Sequence, residues 1–436
     1  MSDPSYIRTT LDEWVAKEAI PFSVDLPGSF STAVDKMIAS LGERMELLGL
    51  GEALHGGEDI LELRNRLFQY LAEAHGYSAI AMESSFPRGF IVNEYIAGRG
   101  PACYDEVQEA GFSHGFGRLE ANRELVEWMR GYNADPSHAV KLRFYGFDSP
   151  TEMMYADSPG HLLRFVLDYL ASVDVAGANE SRERIGQLLG PDARWENTAA
   201  AMDPTQSVGL SPAATALRIE TEDLISELSE RRPELISKSG ESRYTEVVQY
   251  ATMARKLLNY HAVMARESPD RLLRLLGIRD AMMADTLEYI VSREHGRGKV
   301  LAFAHNSHLQ RGKAHMQLGP YSLAWWPAGS HLDVMFGPRY AVIGSGVGIS
   351  AANGIGRPEA GTLEARLTAA PGPVRFIPTR RGQGLADRET ESLPIRTGSM
   401  KNPTYFALTP GTIKDFDWLA VLDSTAYSRG GPPLQY

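Results

Sequence analysis

Ionisable side chains recur in this sequence wherever a short apolar run ends. Glu52 follows LLGLG, Glu83 follows AIAM, Asp148 follows RFYGF and His305 follows LAFA. If each run is a buried strand of one parallel sheet, the four residues share its carboxyl edge, where open α/β sheets bind ligands. A carboxylate in that place can instead cap the next helix, and Asp148, ahead of Ser149 and Pro150, suits that reading equally. The densest stretch is GEALHGGEDILELR, which sets Glu52, His55, Glu58, Glu62 and Arg64 in one turn and the start of a helix. Gly51, Gly56 and Gly57 allow a sharp bend and a close approach to a ligand. An imidazole with a carboxylate in reach works as a general base near neutral pH, so His55 and Glu52 head the catalytic candidates. Glu58 and Glu62 read as first-turn and exposed-face residues.

His305 and His308 lie close together in AHNSHL and share a face if the chain turns helical there. With Glu52 and Glu83 they offer the donor types that a divalent metal takes. The spacing fits no established metal signature, and a hydrogen-bonded cluster uses the same residues without an ion, so neither metal nor cofactor is expected. GFSHG (residues 111–115) fits the G-x-S-x-G elbow of serine hydrolases, but that elbow needs a buried strand before the serine, and CYDEVQEA is polar and helix-like. Ser113 is therefore not expected to be a nucleophile, while His114 is a candidate neighbour of the crevice. GSGVG at Gly344 lacks the third glycine of the dinucleotide fingerprint, because Ile349 stands there.

The elements that must carry these residues follow from hydrophobic spacing. Residues 31–42 are helical in pattern, and residues 45–52 (MELLGLGE) and 78–84 (SAIAMES) read as buried strands. Between those strands, Ile60, Leu61, Leu63, Leu67 and Leu71 line one stripe of a helix over 58–75 that Gly76 stops. Pro87 opens another helix through Ala97. Alternating strand and helix predicts an α/β fold with a parallel sheet, to which residues 140–148, 299–306, 339–346 and 416–423 add strands. Helical patterns at 212–231, 242–266 and 271–293, with no convincing strand, mark an insertion. The expected organisation is residues 1–150 as the first part of an α/β core carrying GEALHG and AMESSFP, 151–297 as a helical insertion lining the substrate pocket, and 298–436 as the second part carrying AHNSHL. Residues 190–212, rich in Gly, Pro and Ala, read as a loop or mobile flap, and 346–402 as irregular.

Composition narrows the classes of function. The 436 residues carry 44 Lys and Arg against 55 Asp and Glu, a formal charge of −11, so the overall field repels nucleic acid and anionic membranes. Forty-three per cent hydrophobic and 23 per cent charged residues are those of an ordinary globular chain. The single cysteine, Cys103, cannot form an internal disulfide or a thiolate metal site, which points to a reducing, cytoplasmic compartment. The amino terminus shows no basic start followed by an apolar run, and no window approaches the roughly 18 apolar residues of a membrane span. A monomer acting on a small molecule is the expectation.

Taken in order, GEALHG, LRNRLFQYLAEAHGYSAIAMESSFP, NEYI, VEWMRGYN, FYGFD, AHNSHLQRG and GSHLDVMFGPRYAVIG resemble the erythromycin esterase family, also labelled succinoglycan biosynthesis protein. The resemblance runs from about residue 45 to residue 345, and FDWLAVLDST matches the family's last strand. It implies a three-layer α/β/α core with a helical insertion, and metal-independent hydrolysis of a macrolactone ester in which a histidine activates water and no serine acyl-enzyme forms. By position it implies His55 as general base, Glu52 as the carboxylate beside it, and catalytic parts for Arg64, Glu83 and His305, with His305 or Arg64 stabilising the oxyanion. His308 is the second histidine of the HNxH motif, and with His114 and Asp148 it is expected to bind substrate. Two departures stand near the expected pocket: Leu54 where the family usually has Thr or Ser, and SHGFGRLEAN where a tryptophan-containing stretch is common. Apolar surroundings that exclude water would also suit a biosynthetic enzyme using the same His/Glu pair for cyclisation or dehydration of a polyketide-like substrate.

Overall fold

The computed structural model describes residues 10–24, 26–152, 155–383 and 392–433. Its strands, in chain order, are β1 (Ile20–Phe22), β2 (Leu47–Glu52), β3 (Tyr77–Ser85), β4 (Arg143–Asp148), β5 (Thr151–Glu152), β6 (Tyr155–Ala156), β7 (Lys299–His305), β8 (Ala314–Leu318), β9 (Tyr321–Trp325), β10 (Tyr340–Ile349), β11 (Val374–Pro378) and β12 (Trp418–Ser424). Eight of them form one sheet in the order β1-β11-β12-β10-β2-β7-β3-β4. From β12 to β4 every pairing is parallel, and only β11 runs against its two neighbours.

Burial on both faces explains why these strands read as continuous apolar runs rather than alternating ones. Leu48, Leu50, Ile80, Met82, Leu301 and Phe303 point to one face, under Leu61, Leu67 and Phe68 of the helix Glu58–Ala74 and Leu125 of the helix Glu120–Ala134. Leu47, Ala79, Ala81, Val300 and Ala302 point to the other, under Met283, Leu287 and Ile290 of the helix Arg271–Glu294 and Leu332 of Ala328–Phe336. The small alanines on that second face let the long helix lie close. The result is a three-layer α/β/α core with a mostly parallel sheet. Gly89, on the helix Phe86–Ile96, shows how tight one contact is: a Cβ there would lie 2.3 Å from the backbone nitrogen of Gly146 in β4.

A separate helical cluster is built mainly from residues 156–275, among them Leu163, Leu167, Leu217, Leu228 and Leu257, with Phe86 joining it from the core. The helix Arg271–Glu294 follows that cluster and returns the chain to the sheet, ahead of β7. Of the two expectations for residues 190–212, a loop or a mobile flap, the structure shows a loop that packs against the cluster. Trp195, Ala200 and Ala201 are buried, and Trp195 Nε1 donates to the Leu189 carbonyl at 2.8 Å, so short 3-10 turns hold this loop down on the cluster. Four short pieces of sheet have no signal in the sequence pattern. β1 is an edge strand and β11 lies next to it, each short and containing proline, and β5–β6 and β8–β9 are small antiparallel ribbons. Part of the stretch expected to be irregular is described, with β11 and the short helix Leu363–Leu367 inside it, while residues 384–391 lie outside the described residues.

Candidate active site

The carboxyl ends of β2, β7 and β3 bring the sequence candidates together. Glu52 ends β2 and is paired in register with His305, which ends β7. Glu52 is buried, and its Oε1 accepts from Nδ1 of His55 at 2.6 Å. The imidazole keeps 31% of its side-chain surface exposed while its Nδ1 is taken by the buried carboxylate. Burial lowers the basicity of His55, and the charge and hydrogen bond of Glu52 more than reverse this, leaving its pKa raised.

The turn that carries His55 is held at both of its backbone groups. Its N–H donates to Thr404 Oγ1 at 3.0 Å, and its carbonyl accepts from Asn402 Nδ2 at 2.9 Å. Phe406 N donates to the Ala53 carbonyl at 2.7 Å, so residues 402–406 form a strap across the turn. Gly56 adopts φ +82, and a Cβ there would approach the Tyr427 ring to 2.8 Å, so this position requires glycine.

His305 faces His55 with ring centroids 5.1 Å apart. Nε2 of His305 donates to the Thr404 carbonyl at 2.7 Å, and Nδ1 meets Ser307 Oγ at 2.7 Å. Burial and the neighbouring His55 drive its pKa down to about 3, so this ring is neutral. Arg64 is fully buried, stacks over Phe303 at 4.8 Å and donates from Nε and Nη2 to Asn65 Oδ1. Burial lowers its pKa to about 10, against the pull of Glu52. Among the described residues, Arg64 Nη1 and Glu52 Oε2 are buried with no hydrogen-bond partner.

Behind this dyad runs a chain of alternating charges. Glu83 Oε2 accepts the His305 backbone N–H at 2.7 Å, and Oε1 lies 3.3 Å from His308 Nε2 and 3.5 Å from an Arg279 nitrogen. Burial would raise the pKa of Glu83, but His308, His55 and Arg279 hold it well below the usual carboxylate range. On its far side His308 Nδ1 donates to Asp280 Oδ1 at 2.8 Å, and Asp280 also accepts from Trp325 Nε1 and Ala328 N. Desolvation lowers the His308 pKa, yet Asp280 and Glu83 push it up to about 10, so it is an imidazolium. Arg279 binds Asp148 at 3.1 and 2.6 Å, and Asp148 in turn meets His114 Nε2 at 3.1 Å. Burial raises the pKa of Asp148, and Arg279 and then His114 outweigh it, so the carboxyl is held low.

All eight nominated residues, His55, Glu52, Arg64, Glu83, His305, His308, His114 and Asp148, therefore lie in one connected region. His308 and Asp148 are enclosed by protein rather than open to the crevice. Leu54, expected beside the pocket, is fully buried in the core under the sheet. Ser113 is engaged with β3, its Oγ accepting from Ser85 N and its N–H donating to Ser84 Oγ. Arg279, Asp280, Asn402 and Thr404 are additions that the sequence reading missed. For the first two a signal exists: Arg279 falls four residues after Leu275 and four before Met283, a charge on an apolar helical stripe. For the strap there is none. Among the described residues, no group of three or more His, Cys, Asp or Glu side chains is arranged to hold a metal ion, and no helix is long and apolar enough to cross a membrane.

Comparison with known proteins gives a consistent picture. A family profile described as erythromycin esterase matches residues 72–425. Erythromycin esterase type II of Escherichia coli is 24% identical over 338 residues, 76% of each chain, and type I of the same organism is 22% identical over 290 residues, 63% of this chain and 64% of that one. Among solved structures, a Bacillus cereus protein superposes with a TM-score of 0.74 at 18% identity, covering 97% of this chain and 98% of that one. A succinoglycan biosynthesis protein gives 0.71 at 19%, covering 98% and 100%. An erythromycin esterase variant in its open conformation gives 0.64 at 17%, covering 94% and 98%. At these identities the superpositions show a shared fold.

Proposed function

This chain belongs to the erythromycin esterase family, and from that premise we propose that it opens a lactone or bulky ester with water activated by His55. The observation that carries the reading is the 2.6 Å contact between His55 Nδ1 and buried Glu52, on a ring that is still partly exposed. The carboxylate fixes the proton on Nδ1 and leaves Nε2 as the base. Water gives a proton to Nε2 while its oxygen bonds to the ester carbon, and the tetrahedral intermediate collapses with cleavage of the bond to the alcohol oxygen. Glu83 serves this dyad from behind, because it accepts the backbone N–H of His305 and so locks the wall that His55 faces. The ring nitrogens of His305 and two of the donor nitrogens of Arg64 are engaged by protein. We assign them to shaping and supporting the dyad rather than to the oxyanion.

The relatives named erythromycin esterase make erythromycin the first substrate to try, beside other macrolactones and polyketide esters. The rearrangement reading drew on a greasy pocket at Leu54, and that side chain faces the core. The test is the mass of the product formed by wild type, His55→Ala and Glu83→Gln, with and without chelator. Gain of one water, lost in His55→Ala and indifferent to chelator, is the expected result. A product of unchanged mass, or one lighter by water, refutes hydrolysis.

A further inference from the structure

We propose that Phe116 is a specificity-determining side chain of this site, the wall against which the acid part of the substrate packs, so that the site favours esters and lactones whose carbon next to the carbonyl carries an apolar branch or ring; this rests on the hydrolytic reading above. The Phe116 ring lies 5.4 Å from the His55 imidazole, centroid to centroid, with an interplanar angle of 57°. Both residues are only half-buried, so each keeps surface open beside the other. The backbone that carries the ring is fixed. Phe116 N donates to the Ser113 carbonyl at 3.1 Å, and the Phe116 carbonyl accepts from Asn122 Nδ2 at 2.7 Å and from Leu119 N at 3.2 Å. His114 and Gly115, directly before it, have left-handed backbones at φ 58 and φ 70. Such a conformation at a residue other than glycine persists where the surroundings dictate it. Gly117, directly after it, packs so closely that a Cβ there would fall 1.8 Å from the Gln108 carbonyl oxygen. The loop therefore holds this ring at one place beside the base.

Its neighbourhood to His55 decides which part of a substrate it meets. Hydrolysis by His55 sets one water between the imidazole and the ester carbon, so that carbon comes within about two hydrogen-bond lengths of the base. Three atoms are attached to it: the carbonyl oxygen, the alcohol oxygen and the α-carbon of the acid. Only the last gains by leaving water for the face of an aromatic ring. A methyl or aryl group on the α-carbon adds apolar area where Phe116 stands, and an acetyl group offers little. The difference of a single methylene in an apolar pocket is worth roughly 10-fold or more in selectivity. The contact involves no proton and no reacting atom, so its signature is a choice among acids.

The test uses amides as neutral stand-ins for esters, so that it reads binding without turnover. N-methylacetamide and N-methyl-2-phenylpropanamide are titrated into wild type and Phe116→Ala, and the NMR signal of the His55 ring protons is followed. Wild type is expected to bind the phenylpropanamide at least about 10-fold more tightly than the acetamide, and the variant to keep less than about 3-fold of that preference. Truncation at Cβ leaves the backbone bonds of the loop in place, and Phe116→Gln, polar and of similar reach, serves if the Ala variant does not fold. A wild type without the preference, or a folded variant that retains it, overturns the role of Phe116 while the esterase stands. A loss of affinity equal for both amides in the folded variants also overturns it, because that is what a merely structural side chain would give. A wild type that opens no ester in the mass assay overturns the hydrolytic reading, whatever the titration shows.

Discussion

Replacing Asp280 by Asn removes one charge from the middle of the buried chain without changing its shape. Asp280 is fully buried and accepts from His308 Nδ1, Trp325 Nε1 and Ala328 N. The folded protein holds the His308 proton up to about pH 10, against 6.5 for an ordinary imidazole. That span is worth about 5 kcal/mol at ~1.36 kcal/mol per pH unit. Asp280 is the larger of the two carboxylate influences, so its charge carries about 3 kcal/mol, in line with the roughly 3–5 kcal/mol lost when one member of a buried pair is removed. Asn also turns an amide N–H toward a donor, which adds about 1 kcal/mol at any pH. Because the pKa is raised on folding, the stabilisation is complete below about pH 6.5, shrinks as pH rises toward 10, and is absent above it. Urea unfolding of both proteins at pH 7 and pH 9.5 should show a deficit of about 4 kcal/mol that falls to about 1–2 kcal/mol at the higher pH. A deficit that is the same at the two pH values would mean that His308 is neutral in the folded protein, and the account of the charge chain would be wrong.

Glu52→Gln should move the acid limb of kcat/KM to lower pH and reduce kcat by about 10²-fold or more, because His55 works neutral and Glu52 is what raises its pKa; an unmoved limb in an active variant would remove Glu52 from the dyad. Thr404→Val deletes the hydroxyl that accepts the His55 N–H, and about 1–1.5 kcal/mol of lost orientation corresponds to a kcat roughly tenfold lower, with Thr404→Ser restoring it. If Val and Ser variants have equal kcat, the strap does not position His55. Gly89→Ala forces a Cβ against the Gly146 backbone and is expected to cost about 2 kcal/mol or more, read as a lowered melting temperature; an unchanged melt would show that the helix can shift away at little cost.

Much of this molecule is legible in its sequence because burial on both faces writes unbroken apolar runs. The runs at Leu47–Glu52, Tyr77–Ser85 and Lys299–His305 name their strands, and each carries a residue of the site at or near its end, Glu52, Glu83 and His305. Family resemblance then supplied Arg64 and the roles of the histidines, which spacing alone leaves open. What the sequence conceals has physical reasons. β1 and β11 are short, contain proline and lie at or next to the sheet edge, so they carry no periodic signature. Leu54 could not be assigned to core or pocket from its neighbours, because a turn has no periodicity to orient it. Arg279 interrupts the apolar stripe of a long helix, a signal that a charge is buried there, but its partner and the inward turn of Asp280 come only from the packing of that helix on the sheet.

The strap has a consequence for how the protein comes into being. Glu52 and His55 are neighbours in sequence, but the groups that hold the His55 backbone lie 347 and 349 positions later, at Asn402 and Thr404. On a ribosome, the dyad leaves the exit tunnel long before its clasp has been synthesised. The turn must wait in an unclasped state while the sheet grows around it, and contacts of such long sequence separation form late and slowly. The backbone of His55 can therefore take its final hold only after residues 402–404 have been made and have folded back across the turn.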